Sequence, residues 1–579
     1  MIVQIDFLPY NHKKGDSKLR KITGLIVVLI LASAALYAGF NKYAFSDKDL
    51  KLFTNGSIYV NADKKVDNLL VRNGVVAGFN VDPAKYPKAE VIDLKGAAAY
   101  PGFCDSHVHL AETGYFFHAG VNLMGCTSVD DIVSVLEKKL KDLPANGAIL
   151  GGGFSLRDYD KWTLADLEKI DKVTGSRPAI LFDKLGHNAV INSATIKLAG
   201  MTADTKIPLG GKMGVENGRP TGMLRESAMI LPYSAVSVLF DRAQMKEGTR
   251  LLAKGWASIG YTAIVDLMGG PGARFHYPEV FFDLEKEGKL PLRVNYCYTI
   301  FNLNDVDRAA EYRGRSTELV RFLGCKIFVD GAFAGGQAWT SWTNKLGNHG
   351  LQEIYTDDIG GPELNLNRIV AKVEEYGMNM HYHVQGDRAI QAVLDALDKV
   401  RAEKGKIKGI HTLIHLAFPT DEQLDKIKSF NGKVVTTVQP AFWPVEDDTE
   451  YYYGEMALKA YPIKRMIDKG ISVGISTDFS VSPPEYTPAM VIMGVSVTGG
   501  GMPKVHEPLT IADVITGLSV GSAKTTGKND TGTLDIGKKA DIVVYDKDLY
   551  CVKLQEFSAT YPSLVATYVG GVNMYRKND

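Results

Sequence analysis

Blocks of like charge are missing from this sequence, and so is any closely paired cysteine motif. Lys plus Arg and Asp plus Glu both number 66 in 579 residues, so the formal net charge is zero and no nucleic-acid surface is signalled. Five cysteines (Cys104, Cys126, Cys297, Cys325 and Cys551) are scattered without a CxxC pair, which argues against a zinc knuckle or a thioredoxin-like site. An odd count leaves at least one thiol outside any intramolecular disulfide, and the plain reading of each is a small buried hydrophobe. Internal repeats and low-complexity tracts are absent too. What is there is the composition of a large globular enzyme, 45% hydrophobic and 23% charged, too long for one ordinary domain.

One stretch departs from this average. From Ile22 to Phe40 no residue is charged, and nineteen helical residues would span about 28 Å, close to the hydrocarbon thickness of a bilayer. Lys13, Lys14, Lys18, Arg20 and Lys21 precede it and favour keeping residues 1–21 on the cytoplasmic side. Residues 22–40 therefore read as a transmembrane anchor with the catalytic body extracytoplasmic. A cleaved signal peptide is the alternative, with Ala32-Ser33-Ala34 offering small residues to a peptidase.

Residues 41–50 read as a polar linker. Residues 51–98 read as short β-strands: LFTNGSIYV, a hairpin-like break at Asn61–Lys65, NLLVRNGVVAGF around an Asn73-Gly74 turn, and AEVIDL. Residues 527–579 offer similar material in Thr533-Leu534-Asp535, in Ala540–Asp546 and in Val565–Arg576 with its Gly570-Gly571 turn. Neither end has enough strands for an independent sheet, so together they suggest one β-sandwich built from both. Between them, residues 99–526 alternate apolar β runs (179–184, 262–268, 325–331, 378–384, 411–417, 433–440, 471–478) with helical stretches such as 128–143 and 387–404. That alternation predicts a parallel α/β body, a distorted (β/α)8 barrel with inserted loops or lids, because the span exceeds the usual barrel of about 250 residues.

Several of these runs carry a polar or ionisable residue at the C-terminal end, where a (β/α)8 barrel assembles its active site. In PGFCDSHVHL (101–110), His107 and His109 are two apart, so strand alternation points both imidazoles to one face. Lys326, His383, His415 and Asp478 each end a separate run. Four histidines and an aspartate suit a divalent metal, and a lysine among them suggests a second ion. His381 and His411 compete for the same roles, Lys326 could instead pair with Asp330, and Asp478 could cap a helix.

The run VIDLKGAAAYPGFCDSHVHL resembles the approach to the first barrel strand of the amidohydrolase superfamily. GHNAVINSATIKLAG (186–200), GRPTGMLRES (218–227), CKIFVDGAFA (325–334), HVQGDRAIQAVLDAL (383–397), GISVGISTDFSVSP (470–483) and GTLDIGKKADIVVYD (532–546) follow in order. They are similar to one branch, the amidohydrolase-3 group that includes N-substituted formamide deformylases and YtcJ-like hydrolases. The resemblance implies a distorted barrel with the composite β-sandwich. It makes His107 and His109 ligands of one ion, His383 and His415 ligands of a second, and Asp478 a ligand that also moves protons. It places Lys326 where binuclear relatives carry a carboxylated lysine, with one or two divalent ions per chain, zinc being the expected metal. His187 and Glu226 fall in family motifs on the substrate side.

Three departures touch the surroundings and not these ligands: Ile414 before His415, Ser476-Thr477-Asp478 at the last strand, and Gly335-Gly336-Gln337 after the DG pair. The sequence thus points to a metal-dependent hydrolase of non-peptide C–N bonds acting on a small molecule. A mononuclear deaminase and a catalytically inactive, membrane-tethered binding protein remain as alternatives.

Overall fold

The computed structural model describes residues 49–141, 147–156, 159–184, 186–267, 278–333, 335–442, 447–479, 509–551 and 562–577. The expected anchor at residues 22–40 lies outside these. Among the described residues, no helix is long and apolar enough to cross a membrane.

The central sheet has eight strands: β1 (Phe103–Val108), β2 (Tyr261–Asp266), β3 (Arg293–Thr299), β4 (Val320–Phe328), β5 (Asn379–Val384), β6 (His411–His415), β7 (Val434–Val438) and β8 (Val473–Ile475). They pair in parallel in sequence order. The seam between β8 and β1 closes through a bridge of Val108 with Phe479 and through two backbone bonds, Asp478 N–H to His107 O (2.9 Å) and His109 N–H to Phe479 O (3.0 Å). The result is a nearly closed parallel barrel. Its strands read as near-continuous apolar runs because parallel strands are covered on both faces. The inside holds Cys104, Ala263, Val265, Leu267, Cys297, Leu323 and Ile414, while the outside belongs to a much larger core shared with the helices.

The run 179–184, read from the sequence among the barrel strands, belongs elsewhere. Ala179–Asp183 sits in a second, six-stranded sheet inserted between β1 and β2, beside Ile149–Phe154 and Asn188–Ile191. The strand missing from that reading is β3, whose RVNYCYT mixes polar and aromatic residues yet is buried along its whole length. Its Arg293 is held by Asp541 at 2.7 and 2.9 Å, tying the barrel to the C-terminal strands.

Strands from both ends of the described chain share one sheet, in which Ala98–Pro101 pairs with Ile542–Tyr545. A four-stranded sheet (Leu50–Thr54, Leu69–Arg72, Val75–Phe79, Glu90–Asp93) packs on it through Phe53, Ile58, Leu69, Val71, Ile542, Val544 and Tyr568. The Asn73-Gly74 and Gly570-Gly571 turns form as expected, all four residues at positive φ. Thr533-Leu534-Asp535 is not a strand; Leu534 simply plugs this core, its N–H bonded to Val60 O.

Helix α1 (Leu110–Ala119) starts directly after His109, and α2 (Arg242–Ser258) packs against it. Gly114 and Gly248 let the two backbones touch: a Cβ on Gly248 would lie 2.1 Å from Gly114 O. Gly248→Ala should therefore force the helices apart and cost about 1–3 kcal/mol, as overpacking does. Urea unfolding of the variant beside wild type checks this, and an unchanged midpoint would show that the contact yields.

Candidate active site

Parallel strands present their C-terminal ends on one rim. His107 lies inside β1 and His109 one residue past it, as the residue before α1. Asp478 follows β8 by three residues, and the two seam bonds bring it against both imidazoles. His109 Nε2 is 3.0 Å and His107 Nε2 3.3 Å from Asp478 Oδ1, with the rings 5.0 Å apart. Burial alone would raise the Asp478 carboxyl, but His107, His109 and His415 hold it well below the usual carboxylate range. Burial pushes His107 well below the ordinary imidazole value, so its ring is neutral at pH 7.

His383 and His415 face each other at the ends of β5 and β6, ring centroids 4.6 Å apart, and His415 lies 5.4 Å from His107. Each is fixed through Nδ1. His383 Nδ1 meets Asp330 Oδ1 at 3.2 Å, and His415 Nδ1 meets Gln439 Oε1 at 2.7 Å. An imidazole that donates through Nδ1 keeps its Nε2 lone pair for another partner. Burial lowers His415 to about 4 and His383 well below its normal value.

Lys326 sits within β4, 1% exposed, its Nζ 4.7 Å from the Phe328 ring. Burial brings its amine down to about 8 against the pull of Asp478. The salt bridge to Asp330 does not form, because Asp330 accepts instead from His383 and the backbone N–H groups of Trp339, Gln385 and Gly386. The two competing histidines have different surroundings. His411 points out of the barrel to Glu374 (2.9 Å) and the Tyr382 hydroxyl (2.7 Å). His381 pairs in register with Lys326, fully buried, with no hydrogen-bond partner on either nitrogen; burial and then Lys326 lower it to about 3.

His187 comes from the inserted sheet, just ahead of Asn188–Ile191. Its Nδ1 is 2.6 Å from Glu226 Oε2, and its ring is 5.9 Å from that of His383. Burial opposes protonation of His187, but Glu226 outweighs it and raises the imidazole. Glu226 has φ +47°, Asp478 +54°, His415 +71° and Leu416 +50°. Five of the other positive-φ residues that are not glycine are asparagines, which with aspartate and histidine adopt the left-handed region most readily; Glu226 and Leu416 are not of that type.

A model of the amidohydrolase family matches residues 90–575. The chain belongs to the amidohydrolase family. This amidohydrolase is 26% identical over 557 residues to YtcJ of Bacillus subtilis, covering 91% of this chain and 99% of YtcJ. It is 24% identical over 520 residues to the N-substituted formamide deformylase of Arthrobacter pascens, covering 85% and 91%. Among solved structures, a metal-dependent hydrolase from Pyrococcus furiosus superposes with a TM-score of 0.66 at 25% identity, covering 86% of this chain and all of the other. Family and neighbours place the amidohydrolase among metal-dependent hydrolases, enzymes of C–N bonds in small molecules.

The residues of the amidohydrolase suit a metal. Ligand atoms of His107, His109 and Asp478 all lie within 4.8 Å of one another, and neither His107 Nε2 nor His109 Nδ1, both buried, has a hydrogen-bond partner. Two imidazoles and a carboxylate form a donor set typical of zinc and similar divalent ions.

Three supporting residues escaped the sequence reading of this amidohydrolase as parts of the site. Asp105 accepts from Thr477 N–H (3.0 Å), Thr477 Oγ1 (2.7 Å) and Trp256 Nε1 (3.3 Å), pinning β1 to the segment that carries Asp478. Asp330 and Gln439 lie within hydrogen-bond distance of His383 and His415. Both lie just past a strand end, the same positional signal that exposed the histidines.

Proposed function

We propose that this amidohydrolase hydrolyses a C–N bond other than a peptide bond in a small amide, an N-formyl or N-acyl compound, or a cyclic amide. The observation that carries the reading is the convergence of His107, His109 and Asp478 within 4.8 Å at the barrel seam. Similarity to the Arthrobacter deformylase supports the N-formyl end of that range. His107 and His109 with Asp478 would hold one divalent ion, zinc by donor type, and His383 with His415 a second. A carboxylated Lys326 would add an anionic oxygen donor between the two sets. When bound, such ions acidify water and polarise a carbonyl.

Asp478, ionised and fixed between two imidazoles, accepts the proton of the attacking water and hands it to the leaving nitrogen. Asp330 and Gln439 hold His383 and His415 in place while this occurs. His187, oriented by Glu226, lines the substrate side, so the inserted sheet contributes to the site. A zinc-replete screen across formamides, acyl amides, lactams and esters tests the reading. Amine release that chelation abolishes and zinc restores is expected; cleavage of esters alone would contradict it.

We also propose that residues 51–98 and 527–579 act as one β-sandwich module beside the barrel region 99–526, which the shared pairing of Ala98–Pro101 with Ile542–Tyr545 supports. For residues 22–40 the proposal is a membrane anchor with the catalytic body extracytoplasmic, supported by the uncharged run and the five preceding cations. The full-length chain should then fractionate with membranes, its C-terminus protected from cytoplasmic protease. Soluble mature protein beginning near Ala35 would mean a cleaved signal peptide, and a cytoplasmic C-terminus would contradict both.

A further inference from the structure

Like Asp478, Gln439 touches two of the clustered imidazoles, those of His415 and His107. Gln439, directly after β7, is fully buried. Its Oε1 lies 2.7 Å from His415 Nδ1, and its Nε2 lies 2.8 Å from Ser476 Oγ and 3.5 Å from His107 Nδ1. We infer that Gln439 is a positioning residue of the metal centre, holding His415 in the tautomer whose Nε2 lone pair is free for a metal. The inference rests on the metal-centre reading above.

Ser476 Oγ has two acceptors for its single hydrogen, Val438 O at 3.3 Å and Thr437 Oγ1 at 3.0 Å. Its lone pairs then take hydrogens from others, the Gln439 amide among them. The Gln439 –NH2 donates to Ser476 Oγ at 2.8 Å, which turns the amide oxygen toward His415. An oxygen there only accepts, so His415 Nδ1 carries the hydrogen and Nε2 does not.

Thr437 Oγ1 completes the support. It lies 3.0 Å from Ser476 Oγ and 2.6 Å from Ser106 Oγ, which in turn meets Ser522 Oγ at 3.1 Å. Ser522 also bonds to Gly517 O, at the start of the π-helical turn Gly517–Gly521. The amide thus sits at the end of a buried hydroxyl chain that spans β7, β8, β1 and the helix behind them.

Zinc competition against a chromophoric chelator on the full-length protein tests this. Gln439→Met fills the same volume and accepts nothing from Nδ1. It should bind zinc about 10–100-fold more weakly, the usual effect of losing a partner behind a metal-ligating histidine. Gln439→Glu keeps an acceptor facing Nδ1 and should retain wild-type affinity. Cobalt-loaded Gln439→Met should also show a shifted visible spectrum, which a purely structural loss of stability would not produce. Equal zinc affinity in wild type and Gln439→Met would overturn the inference, as would a folded Gln439→Glu that loses as much as Met. A wild type that takes up no zinc would remove the metal-centre reading itself, and the two failures are therefore distinct.

Discussion

Asp478→Asn should keep the fold and most of its metal while kcat falls by about 10²–10⁴, the usual worth of a positioned general acid–base. The amide is isosteric and still offers an oxygen to His107 and His109, which sit 3.3 and 3.0 Å away. It cannot accept and return a proton near neutral pH. The seam bond from the Asp478 backbone N–H to His107 O does not involve the side chain, so the barrel stays closed. His107→Ala and His109→Ala should behave in the opposite way and lose metal outright, since each removes one of three converging donors. Metal content measured beside kcat separates the two classes. An Asp478→Asn enzyme with nearly full kcat and full metal would take Asp478 out of the mechanism.

Lys326→Ala should lose at least one of two ions per chain, with activity partly restored by short carboxylates such as formate or acetate. The reasoning is positional. Lys326 projects from β4, the strand between β3 and the His383 strand, and it is 1% exposed without the Asp330 partner that would explain a buried ammonium structurally. A buried lysine with no direct ion pair to Asp330 is costly as a plain cation even with Asp478 nearby, whereas a carboxylated one is an anion suited to bridging. Alanine leaves space for a small carboxylate to occupy the same position. Two ions in wild type, fewer in the variant and rescue by carboxylate are the expected set. One ion in both proteins would contradict the binuclear arrangement and favour the mononuclear deaminase reading.

How far the sequence could be read follows from which interactions are local. The ends of β1, β5, β6 and β8 were legible because each run is rich in apolar residues and closes on an imidazole or carboxylate near its tip. Ala179–Asp183 reads the same way, since a strand of the inserted sheet is covered as well, and nothing local distinguishes the two sheets. β3 was hidden by its polar residues: Arg293, Asn295 and Thr299 find partners only once the chain has folded. The choice of His383 over His381 and of His415 over His411 needed the family pattern, because alternation alone puts each pair on a common face. In His415 the structure breaks that alternation, its φ of +71° turning the side chain away from the direction of His411. The roles of Asp330, Gln439 and Asp105 depend on contacts between separate strands, which no spacing in one segment encodes.

Anomalous X-ray scattering at the zinc edge from crystals of zinc-replete protein decides whether His107, His109 and Asp478 hold a metal. An anomalous peak bounded by those three side chains is expected, with a second toward His383 and His415 if Lys326 is carboxylated. Fully zinc-loaded protein whose anomalous peaks lie elsewhere, with none among His107, His109 and Asp478, would contradict it.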